Sequence, residues 1–168
     1  WDQTNAEDGT VLNRETELYV RLKGPWQSTY LLDRATRHRF WNMKTYREKY
    51  TLSTADVRPS AALGFTLLAQ VGDTIDFDND RPGELLRIRP TVSFNFGRHL
   101  QASIDHDLQK VDVQDGELLE LNVSQLSAVY QFNVRMFVRA ILQYQDVEIA
   151  GDPNNEHLFN QLLFSYKL

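Results

Sequence analysis

The sequence predicts an all-β fold: an antiparallel up-and-down meander of about eight strands, part of an outer-membrane β-barrel. Three observations predict it. Apolar and polar residues alternate strictly in stretches such as RMFVRAILQYQ, Arg135–Gln145. There Met136, Val138, Ala140, Leu142 and Tyr144 share one face, opposite Arg135, Phe137, Arg139, Ile141, Gln143 and Gln145. The alternating stretches run for about 11–14 residues, longer than the usual globular strand. Tight turns take turns with long polar segments, so a meander gathers short connections at one end and long ones at the other.

The elements follow in order. The chain opens on the polar WDQTNAEDGT, and residues 1–14 are expected to be disordered. ELYVRLK, Glu17–Lys23, alternates and reads as a strand. Residues 28–52 fit neither the helical nor the strand period; a pair of strands is preferred, with a short helix as the alternative. From Ser60 to Gly72, Ala61, Leu63, Phe65, Leu67, Ala69 and Val71 make an apolar face. After the polar 73–84 segment, Leu86, Ile88, Pro90, Val92, Phe94 and Phe96 oppose Arg87, Arg89, Thr91, Ser93 and Asn95. FGRH is a tight turn. Leu100, Ala102, Ile104, His106 and Leu108 then oppose Gln101, Ser103, Asp105, Asp107 and Gln109. Beyond 112–117, the apolar positions change parity, from Leu119, Leu121 and Val123 to Leu126, Ala128, Tyr130 and Phe132. This predicts a β-bulge near Ser124 and Gln125. After FNVR and the strand quoted first, the 146–156 loop leads to a last strand with Leu158, Leu162, Phe164, Tyr166 and Leu168 on one face. No repeat or linker divides the chain, so residues 1–168 form a single segment. Its polar start and abrupt close on LLFSYKL read as a piece of a longer chain.

Composition narrows the function. The 168 residues carry a net charge of -5 and no cysteine. An extended basic surface for nucleic acid is therefore not expected, and thiolate chemistry is excluded. No apolar run reaches the length of a membrane-spanning helix, but a spanning strand needs apolar residues only at every second position. Alternation alone fits a soluble barrel with its apolar face inward as well as a membrane barrel with that face outward. Aromatics near strand ends (Phe94, Phe96, Tyr130, Phe132, Tyr144, Phe164, Tyr166) favour lipid, as an interfacial girdle. Opposed charges on the other face favour a wet lumen, lined by Arg87, Arg89, Asp105, Asp107, Arg139 and Gln143.

Candidate chemistry is sparse. Asp76, Asp78 and Asp80 alternate as in a calcium loop, but Arg81 stands where the sharp turn needs glycine and Gly83 comes two residues late. An acidic hairpin loop is the expected outcome. Ser103, His106 and Asp107 contain the residue types of a hydrolase, yet parity puts His106 on the opposite face from the other two, so no catalytic residue is assigned. The four histidines lack metal-ligand spacing, and no cofactor is expected. Trp26 reads as an interfacial anchor, with sugar stacking as the alternative.

The segments IDFDNDRPGELL, GRHL, YQFNVRMFVRAILQYQD and NQLLFSYKL resemble the C-terminal barrel domain of a family of bacterial outer-membrane proteins. That domain is otherwise one of unknown function. These proteins carry, ahead of the barrel, a β-sandwich similar to family 9 carbohydrate-binding modules. The resemblance covers residues 57–168 well and the first third loosely, and similar chains continue past SYKL through at least one more strand. It implies an outer-membrane location and a link to glycan through the N-terminal module, which no part of this chain resembles. It implies no active site. The expected function is a non-enzymatic membrane anchor and conduit for a surface glycan-associated protein, with outer-membrane lipid as partner. The alternatives are a soluble barrel holding a small apolar ligand and, third, an outer-membrane hydrolase.

Overall fold

The computed structural model describes residues 2–166 as one antiparallel sheet, without a helix among those residues. Its strands are β1 (Asp2–Asn5), β2 (Val11–Gly24), β3 (Ser28–Trp41), β4 (Lys44–Ser60), β5 (Leu63–Asp76), β6 (Arg81–Phe96), β7 (Leu100–Val113), β8 (Gly116–Asn133), β9 (Met136–Ile149) and β10 (Asn155–Tyr166). Each strand pairs with its neighbours in sequence, in the order β1 to β10. The fold class is therefore the all-β meander expected, with ten strands in place of about eight. One expectation at the start of the chain, disorder of residues 1–14, changes. Asp2–Asn5 is a strand paired with β2, and residues 11–14 already lie within β2, so most of residues 2–14 are built into the sheet, while Trp1 lies outside the described residues. Leu168 lies outside the described residues.

Residues 28–52 are a strand pair, as preferred. The turn between β3 and β4 is Asn42–Met43, both with positive φ (44° and 63°). That is the two-residue hairpin geometry whose twist matches the strands. The segments expected as long loops are mostly strand. The 73–84 segment narrows to a tip at 77–80, 112–117 to 114–115, and 146–156 to 150–154. Strand pairing satisfies backbone groups that a loop would leave to water. What survives of the asymmetry is that these hairpins project further than the turns at the other end, at 25–27, 61–62, 97–99 and 134–135.

The sheet is a single layer without a hydrophobic core. Among the described residues only Ala35, Ile75 and Val111 are buried apolar side chains. The two faces are unequally sheltered. On β3, Leu32 is 54% exposed, whereas Asp33 and Ala35, on the other face, are 8% and 1%. On β8 and β9, Leu126, Tyr130, Leu142 and Tyr144 are exposed while Gln125, Ser127, Ile141 and Gln143 on the opposite face are half-buried. With no second layer to cover either face, this difference reports curvature: the apolar face is convex and the polar face concave.

The expected bulge at Ser124–Gln125 is absent. β8 pairs with β7 without a break from Leu119 to Tyr130; its shifts lie at Val111/Asp112 and Gln131/Asn133. The change of parity is real, but no inserted residue carries it. Toward the projecting hairpins the convex face turns polar, with Glu84, Lys110, Glu120, Asn122, Asp146 and Glu148. The concave face turns apolar there. One register row crosses it through Ala35, Tyr50, Gly72, Leu85, Val111, Leu119 and Ile149. Gly72 has φ 147°, and a Cβ there would sit 2.5 Å from Tyr50 Cα and against the Lys49 carbonyl oxygen, so that backbone approach requires glycine.

Candidate functional site

The convex face carries an apolar belt. On β2 Val20 and Leu22 face Leu32 and Tyr30, while Leu18 faces Arg34; on β10 Leu158, Leu162 and Phe164 face Tyr144, Ala140 and Val138. At its centre Phe65 faces Val92, which faces Ile104, which faces Leu126, which faces Leu142. On β5 and β6 the belt ends where Val71 and Leu86 give way to Asp73 and Glu84; on β9 it ends where Tyr144 gives way to Asp146, whose cross-strand row runs through Asn122 and Leu108 to Ile88. From Leu86 to Phe96 the strand rises about 33 Å, which a tilt of about 40° reduces to about 25 Å, the height of the apolar band of a membrane barrel. The belt aromatics are gathered mainly at the short-turn border, where Phe94 stacks on Phe96 at 6.0 Å and Tyr130 meets Phe132 edge-on at 4.8 Å. Tyr144 alone of the seven sits at the other border. Trp26 is two-thirds exposed in the β2–β3 turn, at the short-turn end.

Behind the belt, the six polar residues singled out by alternation all fall on the concave face. Arg87 grips Asp107 with two hydrogen bonds, Nε to Oδ1 at 2.9 Å and Nη2 to Oδ2 at 2.5 Å. This pair is diagonal, because Gln109 stands directly opposite Arg87. Asp105 accepts from the Thr91 hydroxyl at 2.8 Å and the Ser103 hydroxyl at 3.0 Å. Ser103 also meets Ser127 at 2.9 Å. Arg89, Asp105, Asp107, Gln125 and Gln143 border a depression of about 240 Å³. Arg139 lies in a different row, opposite Val129 and Leu163, and its buried Nε has no hydrogen-bond partner among the described residues.

The alternation reading missed members of this wall. One row runs Lys23, Thr29, Asp56, Thr66, Thr91, Asp105, Gln125, Gln143 and Phe159. All but Phe159 carry hydrogen-bonding side chains. Gln125 was obscured by the presumed bulge, and Thr29 and Asp56 belong to strands whose alternation is poor.

The three acidic candidates at the β5–β6 tip do not converge. Asp76 accepts from Arg81 Nε at 2.8 Å and Asn79 Nδ2 at 2.9 Å. Burial pushes its carboxyl up, but these hydrogen bonds and the Arg81 charge outweigh that and hold it below the ordinary carboxylate range. Asp80 instead bonds to the Asn42 side chain, and its carbonyl accepts from Tyr46 at 2.5 Å. Asp78 is exposed. Among the described residues no group of three potential ligands could hold a metal ion. The result is a brace between hairpins. Trp41 packs edge-on against Phe77 at 5.0 Å, Arg39 lies over Phe77, and Arg81 reaches Asp115 of the β7–β8 tip at 2.6 Å. The hydrolase residues stay apart too: His106 bonds through Nδ1 to Ser124 on the convex face, while Asp107 is held by Arg87.

No protein-family model matches this chain, and neither does any curated protein or solved structure.

Proposed function

We propose that this chain is wall of an outer-membrane β-barrel, a non-enzymatic membrane anchor and conduit for an associated surface protein. One observation carries the reading: the apolar belt lies on the convex face and the hydrogen-bonding wall on the concave one. A soluble barrel holding an apolar ligand needs the reverse. Leu86, at the belt's upper border, is exposed, and Ile88, Val92 and Phe94 remain half-exposed on that same convex face. So large an apolar area exceeds the few hundred Å² that a soluble monomer tolerates. The association with a surface glycan rests on the family resemblance alone.

The test is sedimentation of the chain in plain buffer and in detergent. Aggregation in buffer and dispersal in detergent are expected. A sharp monomer boundary in buffer, with cooperative thermal unfolding, would sink this reading and favour the soluble barrel.

A further inference from the structure

The two ends of the sheet carry opposite charge. The five connections at the hairpin end, 6–10, 42–43, 77–80, 114–115 and 150–154, hold Glu7, Asp8, Asp78, Asp80, Asp115 and Asp152 and neither lysine nor arginine; Lys44 and Arg81 flank them, and Arg81 is paired with Asp76 and Asp115. The four turns at the other end, 25–27, 61–62, 97–99 and 134–135, hold Arg98 and Arg135 and no carboxylate. Lys23 and Arg58 flank that end. The carboxylate nearest to it is Asp56, already paired with Arg58 at 3.3 Å. Lys23, Arg98 and Arg135 are exposed.

Arg98 and Arg135 stand just beyond the aromatic border of the belt. Trp26, Phe96, Tyr130 and Phe132 sit where a bilayer passes from hydrocarbon to head groups. Arg98 follows Phe96 by two residues, and Arg135 follows Phe132 by three. Alternate connections of a meander are spaced by two strands, about 10 Å. Arg98 and Arg135, in successive turns of this end, therefore lie one strand pair apart and do not form a single pocket.

We infer that the short-turn end docks on a leaflet of anionic phospholipid, through Arg98 and Arg135 beneath the aromatic border. This rests on the membrane reading above and adds a lipid class and a direction of insertion. The occupant follows from the pairing of features. A basic row alone would suit any polyanion, but here it continues an apolar belt and an aromatic border, and only a lipid leaflet presents hydrocarbon and anionic head groups in that order. The acidic tips at the opposite end would be repelled from the same surface, so the two ends act together to orient the sheet.

The experiment dilutes the full chain from detergent into vesicles and measures the bound fraction by flotation. One set is phosphatidylcholine alone; the other mixes in phosphatidylglycerol. Each cation near an anionic surface strengthens binding about fivefold. The unaltered chain should therefore bind the mixed vesicles more tightly, and added salt should erase the gain. Arg98→Gln with Arg135→Gln should lower binding to the mixed vesicles by about 25-fold and leave binding to phosphatidylcholine unchanged. Arg98→Lys with Arg135→Lys should keep the gain, as should Asp78→Asn with Asp152→Asn at the other end. The β-sheet circular dichroism of each bound variant checks its folding. Equal binding to both vesicles, or a gain that survives the double glutamine variant, overturns the inference while the membrane reading stands. Binding to neither overturns both.

Discussion

On β9, Leu142 and Glu148 share one face of one strand, six residues apart, and occupy opposite surroundings. Around Leu142 the convex face is apolar and the concave face carries Gln125, Gln143 and Arg139. Around Glu148 the convex face carries Glu120 and Asp146, while Val147 and Ile149 point to the concave side. The backbone does nothing different between the two levels, and the register runs through both without a shift. On the membrane reading proposed above, what changes is the medium each face meets: a strand that leaves one solvent and enters another must exchange the roles of its two faces.

That comparison is open to direct attack. The largest effect is expected from arginine placed on the belt. Leu142→Arg should cost about 2–4 kcal/mol and block assembly, whereas Glu148→Arg on the same face should cost about 0–1 kcal/mol. Denaturant unfolding from vesicles measures both, and equal costs would remove the border between the two levels. Gly72→Ala comes next. It strikes only the hairpin level, by forcing a side chain into the Lys49 carbonyl, and should destabilise by about 2 kcal/mol while leaving detergent solubility unchanged.

A pH titration sharpens the hairpin side. Asp76 has its carboxyl held down in the folded state, so its contribution is present above the ordinary carboxylate value of 3.8 and is lost as pH falls through its lower folded value. Tryptophan fluorescence from the Trp41–Phe77 brace should hold steady through pH 4 and change only below it, and Asp76→Asn should abolish that acid step. The smallest effect is expected on the polar wall. On the proposed wet-lumen reading, Arg139→Leu should change stability by less than about 1 kcal/mol, because a charge there gains little from neighbours it does not pair with. Loss of heat-resistant migration in Arg139→Leu would place that face against lipid instead.

The sequence made the belt and its polar reverse legible wherever apolar and polar residues alternate along a whole strand level. Residues 63–72, 86–96 and 100–108 are such cases, and their side chains fall on the faces that alternation assigns, while Ala61, expected on the apolar face, lies in the turn before β5. β8 was misjudged because period-two reasoning equates apolar with one face. A single strand cannot separate an inserted residue from a change of medium. Four adjacent strands can: Glu84 and Leu85, Lys110 and Val111, Glu120 and Leu121, Asp146 and Val147 invert together. β3 and β4 were hard to read for a different reason. At their hairpin level Arg37 and Arg39 both turn toward the buried Glu48, at 3.2 and 3.4 Å. Their polar side chains therefore sit where the pattern expects apolar ones. Their turn also places Asn42 and Met43, not glycine, at positive φ, so no conventional turn signal marks it. The six wall residues were found by face alone; their pairing, such as the diagonal Arg87–Asp107, depends on register that one strand does not contain.

The unbroken meander has a consequence for how the molecule can form. Every ladder joins strands consecutive in the chain, so no pairing has to wait for a distant segment to arrive. Contacts close in sequence are the least costly in chain entropy and the fastest to make. The sheet can therefore grow one hairpin at a time, each new strand templated on the last, with a single advancing edge to protect. The side-chain brace from Asn42 to Asp80 spans two hairpins. It can close only after β5 and β6 have both been laid down, which makes it a late fastening on a structure already zipped.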